Sequence, residues 1–462
     1  RGRAVIECTK PEGGSALDEA RARYSAAAAV LPPVLRQAAM TLPPREQSQA
    51  EEFRLRAGQV MTVLLPTGEY SLGIRVEQEM LETLWDLATD HSRYAAAEAA
   101  RLNALSARGR VGQADTSTPG LPVASDTAFL SLLGLDPARS YTGRAPLEAA
   151  GLGIPLSEGD RAVRCNLVSL TEGGVLSAYD GGGLEGGEAR ALARALTEDP
   201  VCRQALEELG WTLYPQPSFR QLAVCRGCTA ELPPPDGLIG RPAPSCPALA
   251  ALLDRTRAVL AAHPVNLARR SRGKPPVNGL WPWGGGRAAR LADFRARYGV
   301  RGCCVTAVPL VAGIARLTGL ELLTAEGATG ELDTNYAGKA EAACAALGDG
   351  CEFALIHVEA PDACAHRRDP AAKTEAVRRI DRLLLPRLLE GLEGERVRLL
   401  VLSDHLTLTE TGAHGAGPVP WLLYDSGRPA SGPARFDEET AARGPLVAGA
   451  ELMPLLLQSE LT

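Results

Sequence analysis

The segment FALIHVEAPDACAH, residues 353–366, indicates the fold class of this chain. It begins with an apolar run of strand length and leads through a short link to Asp362 and His366. Comparable apolar runs recur with helical stretches between them, at Ala162–Leu170, Val305–Leu310, Phe353–Val358 and Arg398–Leu402. Alternation of strands and helices is typical of an α/β fold with an open sheet of parallel strands. The sequence therefore predicts this fold, with Asp362 and His366 just beyond a strand.

Further acidic and histidine side chains follow another strand and lie in a nearby loop. Asp404 and His405 come directly after the run RLLVLS, and His414 lies in the glycine-rich loop Thr411–Gly417. Side chains past the carboxyl ends of parallel strands line the functional crevice of such sheets. Carboxylates and imidazoles together are suitable ligands for Mn²⁺ or Zn²⁺. Any one of these residues alone is better explained as a polar loop position, but the set favours a metal site.

Ser125 precedes the apolar run Ala128–Leu133, which predicts a helix. Ser125 or Asp126 is a good helix N-cap in this position. The alternative is that Ser125 is a nucleophile whose phosphorylated form lies at the helix amino terminus, where backbone N–H groups favour anions. On these residues alone the capping interpretation is preferred.

Basic side chains offer candidates for binding an anionic substrate. They are Arg144, Arg164, Arg269, Arg272 and Lys274. Surface charge is the usual explanation of such residues, and recognition of a phosphate and a carboxylate is the sharper alternative.

Composition excludes several classes of protein. The chain has 462 residues, 45% hydrophobic and 23% charged, which is globular composition. Lys+Arg 49 against Asp+Glu 55 gives 49 − 55 = −6, so nucleic-acid binding is not expected. The longest apolar stretches are interrupted by Pro and far below a membrane span. Eleven Cys at irregular spacing favour a reducing cytoplasm over a disulfide scaffold.

The pattern changes along the chain. Residues 19–110 are mostly helical in pattern, with one predicted strand at Gln59–Leu65 and a predicted helix at Glu77–Ala88. A Gly- and Pro-rich region between Leu170 and about Arg290 has helices of its own and is interpreted as a domain inserted into the α/β core.

Longer segments carry a resemblance to a known family. In chain order they are ASDTAFLSLLGLDP (124–137), YTGRAPLEAAGLGIPL (141–156), AVRCNLVSL (162–170), HPVNLARRSRGKPPVNGLWPWG (263–284), GATGELDTNYAGKAEAA (327–343), IHVEAPDACAH (356–366), LSDH (402–405) and HGAGPVPWLLYDS (414–426). In these segments residues 111–462 resemble the archaeal-type cofactor-independent phosphoglycerate mutases of the alkaline phosphatase superfamily, including the bacterial branch sometimes labelled as homoserine kinases.

The resemblance implies an alkaline-phosphatase-like open sheet with helices on both faces and an inserted α+β lid domain. It assigns residues 111–164 and 296–462 to the metal-binding core and residues 165–295 to the lid. Residues 1–110 are then a separate small amino-terminal α/β module.

The implied activity is interconversion of 3-phosphoglycerate and 2-phosphoglycerate through a phosphoserine intermediate, without 2,3-bisphosphoglycerate. By position, Ser125 resembles the nucleophile, and two divalent metal ions, Mn²⁺ or else Mg²⁺ or Zn²⁺, are expected. The ligands implied are Asp362, His366 and His414 for one metal, and Asp404 and His405 for the other, with Ser125 bridging toward it. The basic residues named above would neutralise the phosphoryl oxygens.

Two departures from the family pattern stand out. Members begin with a strand ending in Asp-Gly, whose Asp is a ligand of the second metal, and no segment before Ser125 has this pattern. The nearest is RAVIEC, residues 3–8, with Glu7 in place of the Asp. Relatives also carry an Asp near Ala178, where this chain offers only the displaced Asp180 as a general base.

Residues 31–112 resemble the amino-terminal domain of stage III sporulation protein AA, in LPPVLRQAAMTLPPREQSQAEEFRLRAGQ, VEQEMLETLWDLATDHSRYA and GRVG. The chain is therefore expected to join such a module to a mutase core that lacks its usual first strand. The alternatives to a mutase are a metal-dependent phosphatase or phosphotransferase acting on another small substrate, and an inactive binding module. The expected partner is a small-molecule substrate, and neither nucleic acid nor a membrane is expected to bind. The expected location is the cytoplasm.

Overall fold

The amino-terminal residues form a small antiparallel sheet with its own core. The computed structural model describes residues 3–7, 24–25, 27–28, 31–77, 80, 99–184, 186–428 and 431–457. The strands of this sheet pair in chain order, and they are β1 (Arg3–Glu7), β2 (Glu52–Arg56), β3 (Val60–Leu65) and β4 (Gly68–Arg75). Two helices, α1 (Pro33–Ala39) and α2 (Pro44–Gln47), begin with Pro, whose missing N–H costs nothing at that position. Tyr24, Leu35 and Phe53 are buried together beneath them.

The strand predicted at residues 59–65 is confirmed, and three further strands accompany it. Most of the helix predicted at residues 77–88 lies outside the described residues.

The core contains two sheets. A parallel sheet has the order β12–β11–β13, and a mixed sheet has the order β14–β17–β5–β18. Their strands are β5 (Gly109–Asp115), β11 (Gly302–Val305), β12 (Glu321–Leu323), β13 (Phe353–Ile356), β14 (Arg398–Leu402), β17 (Val419–Asp425) and β18 (Leu446–Ala448). A two-stranded antiparallel sheet, β15 (Leu406–Leu408) and β16 (Ala413–Gly415), follows β14.

Helices surround these sheets. They are α3 (Ala100–Ser106), α4 (Ser125–Leu132), α5 (Pro137–Ser140), α6 (Arg144–Gly151), α11 (Phe294–Tyr298), α12 (Pro309–Leu317), α13 (Tyr336–Gly348), α14 (Ala360–His366), α15 (Pro370–Arg379), α16 (Leu385–Gly391), α17 (Glu438–Ala441) and α18 (Gly449–Leu457). A π-helical turn, Ile380–Leu384, joins α15 to α16. Among the described helices, none has the length and apolar composition needed to cross a bilayer.

The prediction of parallel strands holds for only part of the core. β11 pairs in parallel with β12 and β13, but β17 is antiparallel to both β14 and β5. β17 follows the β15–β16 hairpin instead of a crossover helix, so the chain returns in the opposite direction. The strand predicted at residues 305–310 is wrong beyond Val305, because Pro309 begins helix α12.

A second antiparallel sheet lies between β5 and β11 in the sequence. Its order is β10–β6–β9–β8, with β7 paired to β6. The strands are β6 (Arg161–Leu170), β7 (Leu176–Ala178), β8 (Trp211–Tyr214), β9 (Arg220–Cys225) and β10 (Gly279–Arg287). The accompanying helices are α7 (Gly186–Glu198), α8 (Pro200–Leu209), α9 (Ala250–Ala262) and α10 (Pro264–Ser271), with single 3₁₀ turns at Asp236–Leu238 and Pro247–Leu249.

Packing differs from the predicted domain boundaries at two places. Leu102 and Leu105 of α3 share an apolar cluster with Tyr336 and Leu385, so residues 99–110 pack with the core. β6 already pairs with β9 and β10 at Arg161, so the inserted sheet begins before residue 165. The division into domains is otherwise still a prediction.

Candidate active site

Asp362 and His366 lie on one face of α14, one helical turn apart. Their spacing of four residues brings side chains together on a helix surface. His366 Nε2 lies 3.3 Å from Asp362 Oδ2. Helix α14 begins at Ala360, close after β13 ends at Ile356, so the pair lies beyond the carboxyl end of a core strand, as expected.

His414 reaches the same place from β16. Its Nε2 lies 3.1 Å from His366 Nε2 and 3.8 Å from Asp362 Oδ1. His405, after β14, has its ring centroid 4.0 Å from that of His414. Within the described parts of the chain, Asp362, His405 and His414 form one group whose donor atoms all lie within 4.8 Å of one another.

Backbone carbonyls fix which nitrogen each ring presents to the group. His366 Nδ1 lies 2.8 Å from the Gly412 carbonyl, and His414 Nδ1 lies 2.7 Å from the Val123 carbonyl. Because a carbonyl only accepts, each Nδ1 donates its hydrogen, and the two Nε2 atoms point toward Asp362. A ligating histidine is commonly oriented in this way by a hydrogen bond from its other nitrogen.

Thr407 links Asp362 to His405. Its hydroxyl donates to Asp362 Oδ1 at 2.6 Å, and its oxygen lies 3.2 Å from His405 Nδ1. The single hydrogen of this hydroxyl goes to Asp362, so toward His405 the hydroxyl can only accept. His405 Nδ1 therefore carries a hydrogen. His405 therefore presents Nε2, 3.0 Å from Ser125 Oγ and 3.4 Å from Asp404 Oδ2.

Ser125 does not act as a helix cap. It is the first residue of α4, and Ala124 occupies the N-cap position, with no capping hydrogen bond from a side chain there. Asp126 accepts from the Thr127 amide, in the first turn of α4, at 2.9 Å and from the Tyr141 hydroxyl at 2.7 Å. The Ser125 hydroxyl contacts His405 inside the group, which removes the structural argument for capping by Ser125.

Burial and neighbouring side chains shift the pKa values of residues in this group. Burial would raise the pKa of Asp362, but the hydrogen bonds from His366 and Thr407 outweigh it and hold the pKa well below its usual range. The hydrogen bond with Asp362 raises the pKa of His366. Burial lowers the pKa of His414, as does the neighbouring His405. The group therefore combines an ionised carboxylate with a neutral imidazole at neutral pH.

Arg144 and Arg164 share one buried carboxylate. Glu148 accepts from Arg144 Nε at 3.0 Å, and its other oxygen lies 3.2 Å from Arg164 Nε. The Arg164 guanidinium lies over the Trp283 ring, 4.6 Å from its centroid. Burial lowers the pKa of Arg164. Burial would also lower the pKa of Arg144, but the charge of Glu148 outweighs it, and the pKa of Arg144 is raised. These two guanidiniums join α6 to the inserted sheet.

The other predicted cations have structural contacts. Arg269 is fully buried and donates to the Pro275, Gly181 and Gly182 carbonyls and to Glu188. Arg272 also pairs with Glu188, and Lys274 is exposed. These contacts use most of the five N–H donors of Arg269 to hold the inserted domain. A substrate-binding role for Arg269, Arg272 and Lys274 is still a prediction.

Asp180 also has a local contact. Its carboxylate accepts from the backbone amides of Gly182 and Gly183, at 2.9 and 3.1 Å, and closes a glycine turn. These bonds give it a turn-forming role and do not support it as the general base.

The sequence analysis missed Thr407 and Glu148. Glu148 follows Arg144 by one helical turn, and this spacing is a signal for an ion pair. Thr407 follows His405 by two residues, a spacing that places two side chains on the same side of an extended chain. Neither signal reveals the third partner, which comes from a distant segment in both cases.

The donor set fits a divalent metal. The Asp362 carboxylate lies beside the Nε2 atoms of both His366 and His414, and this mixture of one carboxylate and two imidazoles suits Mn²⁺ or Zn²⁺. Asp404, His405 and Ser125 offer a second, smaller set beside it. Two Nε2 atoms at 3.1 Å need a proton or a cation between them, which is the observation that supports the fit.

Comparison with known proteins identifies the family. An open α/β core with an inserted sheet and an Asp–His group at its strand ends defines an enzyme of the alkaline phosphatase type. The family model for 2,3-bisphosphoglycerate-independent phosphoglycerate mutase matches residues 106–266. The enzyme of that name from Methanothrix thermoacetophila is 36% identical over 368 residues, which are 77% of this chain and 91% of the relative. The Methanosarcina barkeri enzyme is 37% identical over 79% of this chain and 94% of its own length.

A solved structure of a protein from Pyrococcus horikoshii superposes with a TM-score of 0.63, at 29% identity over 78% of this chain and 91% of that one. This chain belongs to the family of 2,3-bisphosphoglycerate-independent phosphoglycerate mutases, as its sequence resemblance predicted.

Proposed function

We propose that the chain interconverts 3-phosphoglycerate and 2-phosphoglycerate through a phosphoserine on Ser125. The observation that carries this proposal is the 3.0 Å contact between Ser125 Oγ and His405 Nε2, made by a serine that does not cap its helix. A partly buried serine hydroxyl that contacts the Asp–His group and caps no helix has its oxygen available for attack at phosphorus.

The transfer is balanced at Ser125. A bond forms between Ser125 Oγ and phosphorus as the bond between phosphorus and the 3-oxygen of the substrate breaks. The Ser125 hydroxyl gives up its proton as it attacks, and the released glycerate oxygen takes up a proton. The 2-hydroxyl then attacks the phosphoserine, and Ser125 regains its proton. Positioning and charge neutralisation supply most of the catalysis of such a transfer.

Asp362, His366 and His414 would hold one divalent metal, and Asp404, His405 and Ser125 a second. Bound metals would supply positive charge that stabilises the attacking and leaving oxygens. We take Mn²⁺ as the preferred ion. Arg144 and Arg164 would bind substrate oxygens, because Glu148 holds both guanidiniums at the junction of core and lid. The inserted domain would keep water from the phosphoserine.

The remaining expectations accompany this proposal. The protein is expected to act in glycolysis, to be located in the cytoplasm and to bind a small-molecule substrate only. Residues 31–112 are expected to form a module like the amino-terminal domain of stage III sporulation protein AA.

The test follows Ser125 directly. After incubation with Mn²⁺ and 3-phosphoglycerate, mass spectrometry should detect phosphate on Ser125, and 2-phosphoglycerate should accumulate. Ser125→Ala should lose both signals, whereas Ser131→Ala on the same helix should keep them. Release of inorganic phosphate without 2-phosphoglycerate would identify a phosphatase. Phosphate on another residue in a chain that still interconverts the two acids would overturn the assignment.

A further inference from the structure

Two elements of the chain build the expected metal site between them. Helix α14 carries Asp362 and His366, and the β15–β16 hairpin carries Thr407 and His414. The 3.1 Å contact between His366 Nε2 and His414 Nε2 joins the two elements. The geometry of the site therefore depends on the contacts that hold the hairpin against the helix.

Helix α14 ends in a backbone conformation that favours glycine. The Asp369 amide donates to the Cys364 carbonyl at 3.1 Å, and the Arg368 amide donates to the Ala365 carbonyl at 2.9 Å. These two bonds define a Schellman motif, in which the left-handed position after the helix is usually glycine. In this chain that position is Arg368, with a φ of 58°.

The backbone of Arg368 is strained. Of the residues that the structure describes, it is the only one other than glycine with a positive φ. A side chain in this region costs free energy that glycine would not, and such strain is concentrated at functional positions. The reason for keeping an arginine here must therefore lie in the side chain that glycine lacks.

The Arg368 side chain reaches the tip of the β15–β16 hairpin. Its Nε and Nη2 atoms donate to the Thr411 carbonyl, at 3.2 and 2.9 Å. A guanidinium presents its donors in a rigid planar fork, so two bonds to one carbonyl fix both its distance and its direction. The strained residue thus fastens the end of α14 to the loop between β15 and β16.

Gly412 allows the hairpin to approach the helix closely. Its φ is 67°, and a Cβ added to it would lie 2.8 Å from the His366 carbonyl oxygen and 3.4 Å from Arg368 Cγ. A residue with a side chain would push the tip away from the helix. The Gly412 carbonyl accepts from His366 Nδ1 at 2.8 Å, so this close approach also orients a ring of the expected metal site.

A second cation contacts the hairpin further from its tip. Lys373 Nζ, on α15, donates to the Thr407 carbonyl at 2.9 Å. The Thr407 hydroxyl donates to Asp362. Lys373 therefore holds the Thr407 end of the hairpin, whereas Arg368 holds the tip that precedes His414.

We propose that Arg368 is a positioning residue, which holds the tip of the β15–β16 hairpin against α14 and so keeps His414 facing His366. The expected consequence, tighter metal binding, rests on the metal site of the proposed function. The Arg368 side chain is exposed, so water competes for its hydrogen bonds and they add little to the stability of the whole fold. Its effect is on the position of the hairpin.

Arg368→Gly separates this contact from the strain. The change removes both bonds to the Thr411 carbonyl and gives the Schellman position its usual residue. A two-stranded hairpin is marginally stable by itself, so its amides report whether it is docked. In the metal-free full chain, the Gly412 amide, which donates to the Leu408 carbonyl, should exchange faster by on the order of tenfold. The denaturant midpoint should stay the same or rise, because the strained position no longer carries a side chain.

Metal binding gives the second measurement. Calorimetric titration of Arg368→Gly should show an affinity for Mn²⁺ about tenfold lower, as for loss of an outer partner of a metal site. Arg368→Lys can place one donor on the Thr411 carbonyl and should recover most of this loss. Arg367→Ala is the matched control, because the Arg367 side chain bonds to Glu331 and Cys364. It should keep the affinity and the exchange rate of the parent.

Other results would overturn the proposal. An unchanged exchange rate at Gly412 in Arg368→Gly would mean that the tip is held without Arg368. A lower denaturant midpoint in that variant would assign Arg368 to general stability, and an equal effect of Arg367→Ala would reduce the result to loss of a charge. A parent chain that binds no Mn²⁺ would contradict the metal site of the proposed function, whereas exchange in the metal-free chain would still decide the role of Arg368.

Discussion

Nε2 of His366 lies 3.1 Å from Nε2 of His414, a residue 48 positions further along the chain. Each ring donates its other N–H to a backbone carbonyl, and Asp362 lies beside both. Two ring nitrogens at this distance repel one another unless a positive charge lies between them. This pair is therefore the geometric core of the expected metal site.

Removal of His366 should remove one metal. We expect His366→Ala to bind one Mn²⁺ fewer per chain and to lose most of the rise in melting temperature that Mn²⁺ gives the parent. A ligand at 100 times its Kd stabilises a protein by about 2.7 kcal/mol. His263→Asn is the control, because His263 caps α10 through Val265 and Asn caps equally well. Unchanged metal content in His366→Ala, measured by elemental analysis, would contradict the site.

Thr407 should act by positioning Asp362 and His405. Thr407→Val keeps the shape of the side chain but removes the hydroxyl that contacts both. Loss of such an outer partner typically costs about 10- to 100-fold in metal affinity. We expect this loss in a Mn²⁺ titration, with recovery in Thr407→Ser. Thr212→Val, at an exposed position, is the matched control, and an equal loss there would refute the positioning role.

Arg269 should stabilise the fold, and Arg272 should contribute little. Arg269→Ala removes a buried guanidinium that pairs with the partly exposed Glu188 and donates to two glycine carbonyls, so we expect a loss of roughly 1–3 kcal/mol in the free energy of unfolding. The exposed Arg272→Ala should change it by less than about 1 kcal/mol. Denaturant unfolding measures both. A fully stable Arg269→Ala that fails only in substrate binding would restore the role predicted from sequence.

Lys339 should make stability rise with pH in the alkaline range. Burial lowers the pKa of Lys339 to about 8 from 10.5, and Nζ donates to the His357 carbonyl at 2.8 Å. Between these values the unfolded chain binds more protons than the folded chain, so unfolding becomes less favourable as pH increases. Glu359 and Cys304 are the other titratable groups acting on Lys339, and both raise its pKa.

The comparison with Lys339→Met isolates this effect. From pH 8 to pH 10.5 the parent should gain stability relative to that variant, by roughly 1–3 kcal/mol in total. Lys274→Met, at an exposed position, should follow the parent. Parallel profiles of the parent and Lys339→Met in urea unfolding would show that the ammonium is not desolvated.

The sequence by itself determined the features that depend on neighbouring residues. An apolar run followed by Asp362 and His366 at helical spacing, and another followed by Asp404-His405, were sufficient to predict an α/β core and an Asp–His group at its strand ends. Both follow from periodicity and from the geometry of parallel strands. The family resemblance added Ser125 as the expected nucleophile, which local sequence could not distinguish from a helix cap.

Only the tertiary structure decided which partners these residues have. Ser125 meets His405 across 280 residues, and this contact replaces the cap that the local pattern favoured. Arg269 is held in the interior of the inserted domain by its bonds to Glu188 and the glycine loop, although the basic residues around it in the sequence are typical of a charged surface. Such contacts depend on packing between distant segments, and periodicity along the chain carries no record of them.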